Sequence, residues 1–190
     1  MQIQSKKLVY LAMLACLAVA ALAPVAAGGQ GAKKTDEERK AAAQARLQKE
    51  VRHVLVMLPF YSVFDNLAYK VEDDKVTLIG QVANPTVKSD AGRAVKSIEG
   101  VATVDNQLEV LPLSPNDDRI RREEFRAIYS APGMEKYAIQ AVPPIHIIVK
   151  NGHVTLVGVV ANKMDKDLAN IRANSVSGVF SVVNELTVEK

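Results

Sequence analysis

The 190-residue chain contains no tryptophan, one cysteine (Cys16) and three histidines, and only 5% of its residues are aromatic. Each shortage removes a class of chemistry. A single cysteine makes no intrachain disulfide and no zinc–thiolate cluster. His53 falls on a helix, while His146 and His153 lie seven residues apart on a hairpin, too far along the strands to share one metal. No glycine-rich phosphate loop occurs, and no serine sits in a nucleophile-elbow setting. Asp73-Asp74 and Asp117-Asp118 are adjacent only along the chain, where neighbouring side chains diverge, so proximity does not make them acid–base pairs. No metal, no cofactor and no enzymatic activity are expected.

Charge of one sign is missing as well. Without Lys6 and Lys7, which precede the hydrophobic leader, 22 basic residues face 21 acidic ones, a net charge of +1. That balance gives no reason to expect a nucleic-acid partner. The one long apolar run is the leader itself, Leu8 to Ala27, twenty uncharged residues ending in APVAAGG. Val25 and Ala27 suit the −3 and −1 positions of signal-peptidase cleavage before Gly28. The expectation is an export signal over residues 1–27 and a periplasmic mature protein. Two alternatives stay open. The run is long enough for an uncleaved anchor, against which Pro24 and the small-residue end argue, and Cys16 in the poor lipobox MLAC is a lipidation candidate. Residues 28–44 begin as a flexible tether and drift into helix.

What the chain does have is a phrase written twice. VTLIGQVAN at Val76–Asn84 returns as VTLVGVVAN at Val154–Asn162. Val76–Leu108 aligns with Val154–Leu186 without a gap at an offset of 78, with 15 of 33 positions identical. A fixed offset marks a duplicated unit, and two copies mean tandem domains, here 45–111 and 114–190.

Each copy reads as helix–strand–strand–helix–strand. In the second, alternating apolar runs flank Asn151-Gly152, a strong two-residue hairpin signal that sets Val149 opposite Val154 and Ile147 opposite Leu156. In the first, Asp73-Asp74 holds the turn, with Val71 facing Val76, Tyr69 facing Leu78 and Glu72 facing Lys75. Asp-Asp is a poorer turn, which allows a longer or bulged loop. Helical spacing of Val87, Ala91, Ala94, Val95 and Ile98 leads to Gly100 as a helix-ending glycine. The second copy's helix, about Lys163 to Val176, is less regular because Arg172 replaces Ala94. Third strands follow through Val104–Val110 and Val182–Val188. Upstream helices are predicted over Ala41–Leu58 and after Ser114, an N-cap with Pro115 behind it. Between its first helix and hairpin the second copy carries about four extra residues, around SAPGMEKY and VPPI. The fold class is therefore α+β, an α/β sandwich of two small modules. Each is expected to have a three-stranded mixed sheet with helices on one face.

The VTLxGxV segment, the helix, GV and then VxNxL, each present twice, resemble the BON domain, a family of small modules in bacterial envelope proteins. The tandem arrangement is most similar to the osmotically inducible periplasmic members. The resemblance implies binding to phospholipid surfaces, in envelope maintenance or stress protection. The cations placed for that role are Lys88, Arg93 and Lys96, then Lys163, Lys166 and Arg172, interrupted by Asp90, Asp165 and Asp167. The alternative is a periplasmic protein-interaction scaffold that binds an envelope protein at the groove between modules or at an open sheet edge. Gly80 and Gly158 are expected to allow close helix–strand packing or a bulge. Asn106 and Asn184, polar on a face of Val and Leu, are expected to bond a neighbouring loop's backbone. Gly100 and Gly178 are expected to end helices.

Overall fold

A computed structural model describes residues 35–140 and 142–189 of the protein. The expected export signal, Cys16 and the start of the 28–44 segment lie outside them. The first module comprises α1 (Asp36–Val56), β1 (Asn66–Glu72), β2 (Lys75–Val82), α2 (Pro85–Lys96), β3 (Thr103–Asn106) and β4 (Glu109–Val110). The second comprises α3 (Pro115–Tyr129), α4 (Glu135–Ala138), β5 (Ile145–Lys150), β6 (His153–Val160), α5 (Lys163–Asn174) and β7 (Ser181–Val188).

The first helix starts earlier than its apolar pattern suggests. Thr35 and Glu38 form a capping box, each side chain accepting the other's backbone N–H, at 3.3 and 3.0 Å. Two orphan donors are satisfied there, so the segment expected to be flexible is helical from Asp36 onward. The second module's first helix opens as the sequence suggests, with the Ser114 hydroxyl accepting from Asp117 N at 3.2 Å and Pro115 in the first turn.

Both hairpins take the expected register. Val71 pairs with Val76 and Tyr69 with Leu78, as Val149 does with Val154 and Ile147 with Leu156. The Asp73-Asp74 turn is as short as Asn151-Gly152, because Glu72 pairs directly with Lys75 and Asp73 accepts a φ of 51°. The Asp117 carboxylate fastens the second turn by accepting from Asn151 N and Gly152 N, both at 2.8 Å. In each module the third strand runs parallel to the second, so each sheet is mixed. In the first module that strand is interrupted at Gln107 and Leu108, yet Gln107 N still reaches Leu78 O at 2.9 Å. One face of β2 buries Val76, Leu78 and Val82 against α1 and α2, and the first core gathers there. The second core gathers Ile147, Val149, Val154 and Leu156 with Ile120, Ile128, Ala169 and Ala173. All residues of the two cores lie between Leu47 and Leu186, so a chain of residues 28–190 keeps both.

The repeated glycines and asparagines work differently from expectation. Gly80 and Gly158 have φ of 125° and 136°, and a Cβ there would strike the carbonyl oxygens of Asn66 and Pro144 on the preceding strand segment. The close approach is to the neighbouring strand, not to a helix. Helix–strand contact is tight instead at Gly92, where a Cβ would meet Asn106 Nδ2 at 2.9 Å. Helix α2 ends at Lys96, so Gly100 does not end it. It closes the next turn, in which Val101 N donates to Ile98 O at 3.2 Å. Gly178 likewise lies past the end of α5, with φ of 85°. Asn106 Nδ2 donates to Lys88 O at 2.8 Å, while its Oδ1 accepts from Leu108 N at 3.3 Å. Asn184 repeats this with Lys166 O at 2.9 Å and Leu186 N at 3.1 Å. Each asparagine therefore ties its strand to a helix, not to a loop.

The extra residues of the second module have a clear use. Asp165 stands where the first module has buried Val87. Tyr137 of α4 donates to Asp165 Oδ2 at 2.5 Å and accepts from Ala161 N at 2.8 Å, and Lys136 adds an ion pair at 2.7 Å. The inserted turn supplies the partners that a carboxylate at a core position requires.

Asn106→Ala and Asn184→Ala are each expected to cost about 1–3 kcal/mol, because each strands a partly buried leucine N–H and frees a strand from its helix. Urea unfolding of residues 28–190 reads both. A loss below measurement in either variant contradicts the tie.

Candidate functional site

The two modules are joined by more than the linker. The segment between α1 and β1 reaches across to β5, where the Val63 carbonyl accepts from Ile147 N at 2.8 Å. Val63 is buried in the second core. Asp65 holds this segment in shape, its buried carboxylate accepting from Ser62 N, Ser62 Oγ and Ala83 N at 2.7–2.9 Å. Tyr61 stacks on His146 with ring centroids 5.7 Å apart, and Lys150 meets Glu109 at 2.5 Å. Burial holds His146 below its ordinary pKa despite Asp65 nearby, which favours the neutral ring.

The six expected surface cations are not equivalent. On α2, Arg93 is ion-paired to Asp90 and Lys96 donates to the Ala102 carbonyl. Lys88 and its counterpart Lys166 are alike: both are half-buried, and the backbone carbonyl of each accepts from Asn106 or Asn184. On α5, Lys163, Lys166 and Arg172 have no side-chain partner among the described residues, and Asp165 is already taken by Lys136 and Tyr137. Burial raises the Asp165 pKa, but hydrogen bonds from Lys136 and Tyr137 outweigh it and hold the group below the ordinary Asp value. Asp167, the other acid of that helix, has no ion-pair partner among the described residues. Arg93 and Lys96 are thus engaged, while Lys88, Lys163, Lys166 and Arg172 have no side-chain partner among the described residues.

A second cationic patch had no signal in the sequence pattern. Arg122 and Arg126 of α3 flank Phe125, which meets Phe64 at 6.4 Å and Tyr129 at 4.8 Å between ring centroids. Phe64 comes from the first module, 61 positions before Phe125. Only the crossing of the Ser62–Asp65 segment brings them together.

The histidines do not converge. His53 is on α1, His146 is the second residue of β5, and His153 opens β6 beside Ser181 at 2.7 Å. Among the described residues, no group of three or more His, Cys, Asp or Glu side chains is placed to hold a metal ion. No helix among them is long and apolar enough to cross a membrane.

Residues 35–112 and 134–190 match the BON domain, and the chain belongs to that family. It is 32% identical over 109 residues to the outer membrane lipoprotein DolP of Haemophilus influenzae, a stretch covering 57% of this chain and 55% of that protein. The chain therefore spans about half the length of this curated relative. Among solved structures, CdsD, a structural protein of the type III secretion system of Chlamydia trachomatis, is 13% identical, with 76% of this chain and 92% of that chain covered at a TM-score of 0.31. The C-terminal domain of CdsD is 14% identical, covers 77% of this chain and 99% of its own, and scores 0.28. Likenesses this distant say nothing further about this chain.

One buried acid dominates the pH response. Glu124 on α3 is fully buried, neither carboxylate oxygen has a partner among the described residues, and burial pushes its pKa up to about 8 from an ordinary 4.5. The unfolded chain releases this proton near pH 4.5 and the folded chain near 8. Stability from this group is therefore full below 4.5, falls as pH rises through that window, and is flat above it. Glu124→Gln is expected to raise the melting temperature at pH 8 and to remove most of the decline, worth on the order of a few kcal/mol. Thermal melts from pH 4 to 9 read this. An unchanged pH profile in the variant means Glu124 ionises normally.

Proposed function

We propose that this chain is a non-enzymatic, exported envelope protein whose second BON module binds anionic phospholipid surfaces from the periplasmic side, in envelope maintenance or stress protection. The observation that carries this reading is the distribution of unpaired cations. Among the described residues, Lys163, Lys166 and Arg172 of α5 have no carboxylate or hydrogen-bond partner, whereas Arg93 and Lys96 of α2 are consumed within the first module. A cation near an anionic lipid surface contributes about 1 kcal/mol, weakened by salt. Membership of the BON family and the likeness to an outer membrane lipoprotein support the envelope setting.

The alternative, a scaffold that adds a partner strand to an open sheet edge, meets an obstacle. Gln107 N points to β2, and the next amide, Leu108 N, is already taken by the Asn106 side chain. The Leu186 amide of β7 is taken by Asn184 in the same way. An incoming strand would find a central donor of each third strand occupied.

Co-sedimentation of residues 28–190 with vesicles tests the reading. Binding is expected to anionic but not to neutral phospholipid, weaker at physiological than at low salt. Reversing Lys163, Lys166 and Arg172 to Glu is expected to abolish it, and reversing Lys88, Arg93 and Lys96 to leave most of it. No sedimentation at any salt returns the search to a protein partner.

A further inference from the structure

The duplication supplies an internal control for the surface of α5. Positions 78 apart do the same scaffold work in both modules, so a difference between them on the exposed side is not dictated by the fold. Along α2 the outward positions are Thr86, Asp90 and Arg93. At the same three places α5 carries Met164, Leu168 and Ile171. The spacing i, i+4, i+7 places all three in one row on the helix. Met164 is 78% exposed and Ile171 64%, while Leu168 is half-buried and reaches the second core. A single exposed apolar residue is ordinary, but a row that replaces a polar one in the sister helix is not. A fourth replacement follows on the turn leaving α5, where Phe180, 76% exposed, stands for Ala102.

The charges around the row decide its partner. Among the described residues Lys163 and Arg172, one on either side of the row, have no side-chain partner; Lys166, half-buried like its counterpart Lys88, lies on the opposite side of the helix, and Asp165 is neutralised inward by Lys136. Beside the row, among the described residues, that leaves Lys163 and Arg172 against Asp167. An apolar row flanked by unneutralised cations is the pattern of a helix lying in a membrane interface, its apolar side chains among acyl chains and its cations at the phosphates. A water-filled groove offers the row nothing, and a neutral apolar partner leaves the cations unused. We infer that α5 is the element that enters the lipid: Met164 and Ile171 insert below the head groups while Lys163 and Arg172, on either side of the row, hold the phosphates. This rests on the phospholipid reading above and adds to it the depth and the element of contact.

The lack of tryptophan makes the test direct, since a single introduced tryptophan is the only indole signal. Ile171→Trp and, as the matched position in α2, Arg93→Trp are placed separately in residues 28–190. Each is titrated with vesicles of phosphatidylglycerol and phosphatidylcholine, with and without brominated acyl chains. The tryptophan at 171 is expected to shift to shorter wavelength and be quenched by the brominated chains, and the one at 93 to do neither. Met164→Ser/Ile171→Ser, both changes on the surface, is expected to bind about tenfold more weakly than the unaltered chain. If the unaltered chain binds vesicles while the tryptophan at 171 stays unquenched and the serine pair binds undiminished, insertion by α5 is overturned and surface binding stands. If the unaltered chain binds no vesicle, the phospholipid reading fails and the insertion with it.

Discussion

Each module depends on one asparagine side chain. A three-stranded sheet of this size has a small core, and its third strand arrives only after a helical crossover, so little holds it in place except the ladder to the middle strand. Asn106 and Asn184 supply the missing grip. Each donates to a helix carbonyl in the first turns of α2 or α5 and accepts the amide two residues further along its own strand. One side chain therefore fixes the strand to the helix and satisfies an amide that the middle strand does not. Gly92 shows how tight the fit is, for a Cβ would press on the Asn106 amide. Everything that α5 presents to the outside is positioned by this tie.

With the scaffold fixed twice, the two copies are free to differ where they face outward. The first module uses Arg93 and Lys96 of α2 internally. The second keeps its α5 cations unpaired and sets apolar residues between them. The cost of one of its changes, a carboxylate at the Val87 position, is met by Tyr137 and Lys136 from the inserted turn. The modules are also held as a pair, because Val63 of the first fills the core of the second and its carbonyl pairs with β5. The first module is thus a structural support for the second, covering the edge of β5 that would otherwise stand open.

Much of this was legible in the sequence, for local reasons. The hairpin registers follow from alternation and a two-residue turn, the Ser114 cap from its spacing to Asp117, and the family from motifs repeated at one offset. The start of α1 was legible too, in Thr35 and Glu38, but the polar run around them reads as tether when the apolar period is the only guide. The remaining features depend on pairs far apart in the chain. Nothing near Phe125 announces Phe64, and nothing near Asp165 announces Tyr137, 28 positions away. Gly80 and Gly158 were expected to let a helix pack close, whereas the neighbour that excludes a side chain there is the adjacent strand's carbonyl, which depends on strand geometry. The six cations looked interchangeable because the partners that engage Arg93 and Lys96, Asp90 and the Ala102 carbonyl, are properties of the folded surface.

The central claim is that two copies of one scaffold divide the labour, the second meeting the lipid and the first supporting it. Hydrogen–deuterium exchange of residues 28–190, with and without anionic vesicles, addresses it most directly. Vesicles are expected to slow exchange over residues 163–174 and the turn to 180, and to leave residues 85–96 unchanged. Equal protection of both helices, or protection confined to the first module, would contradict the division.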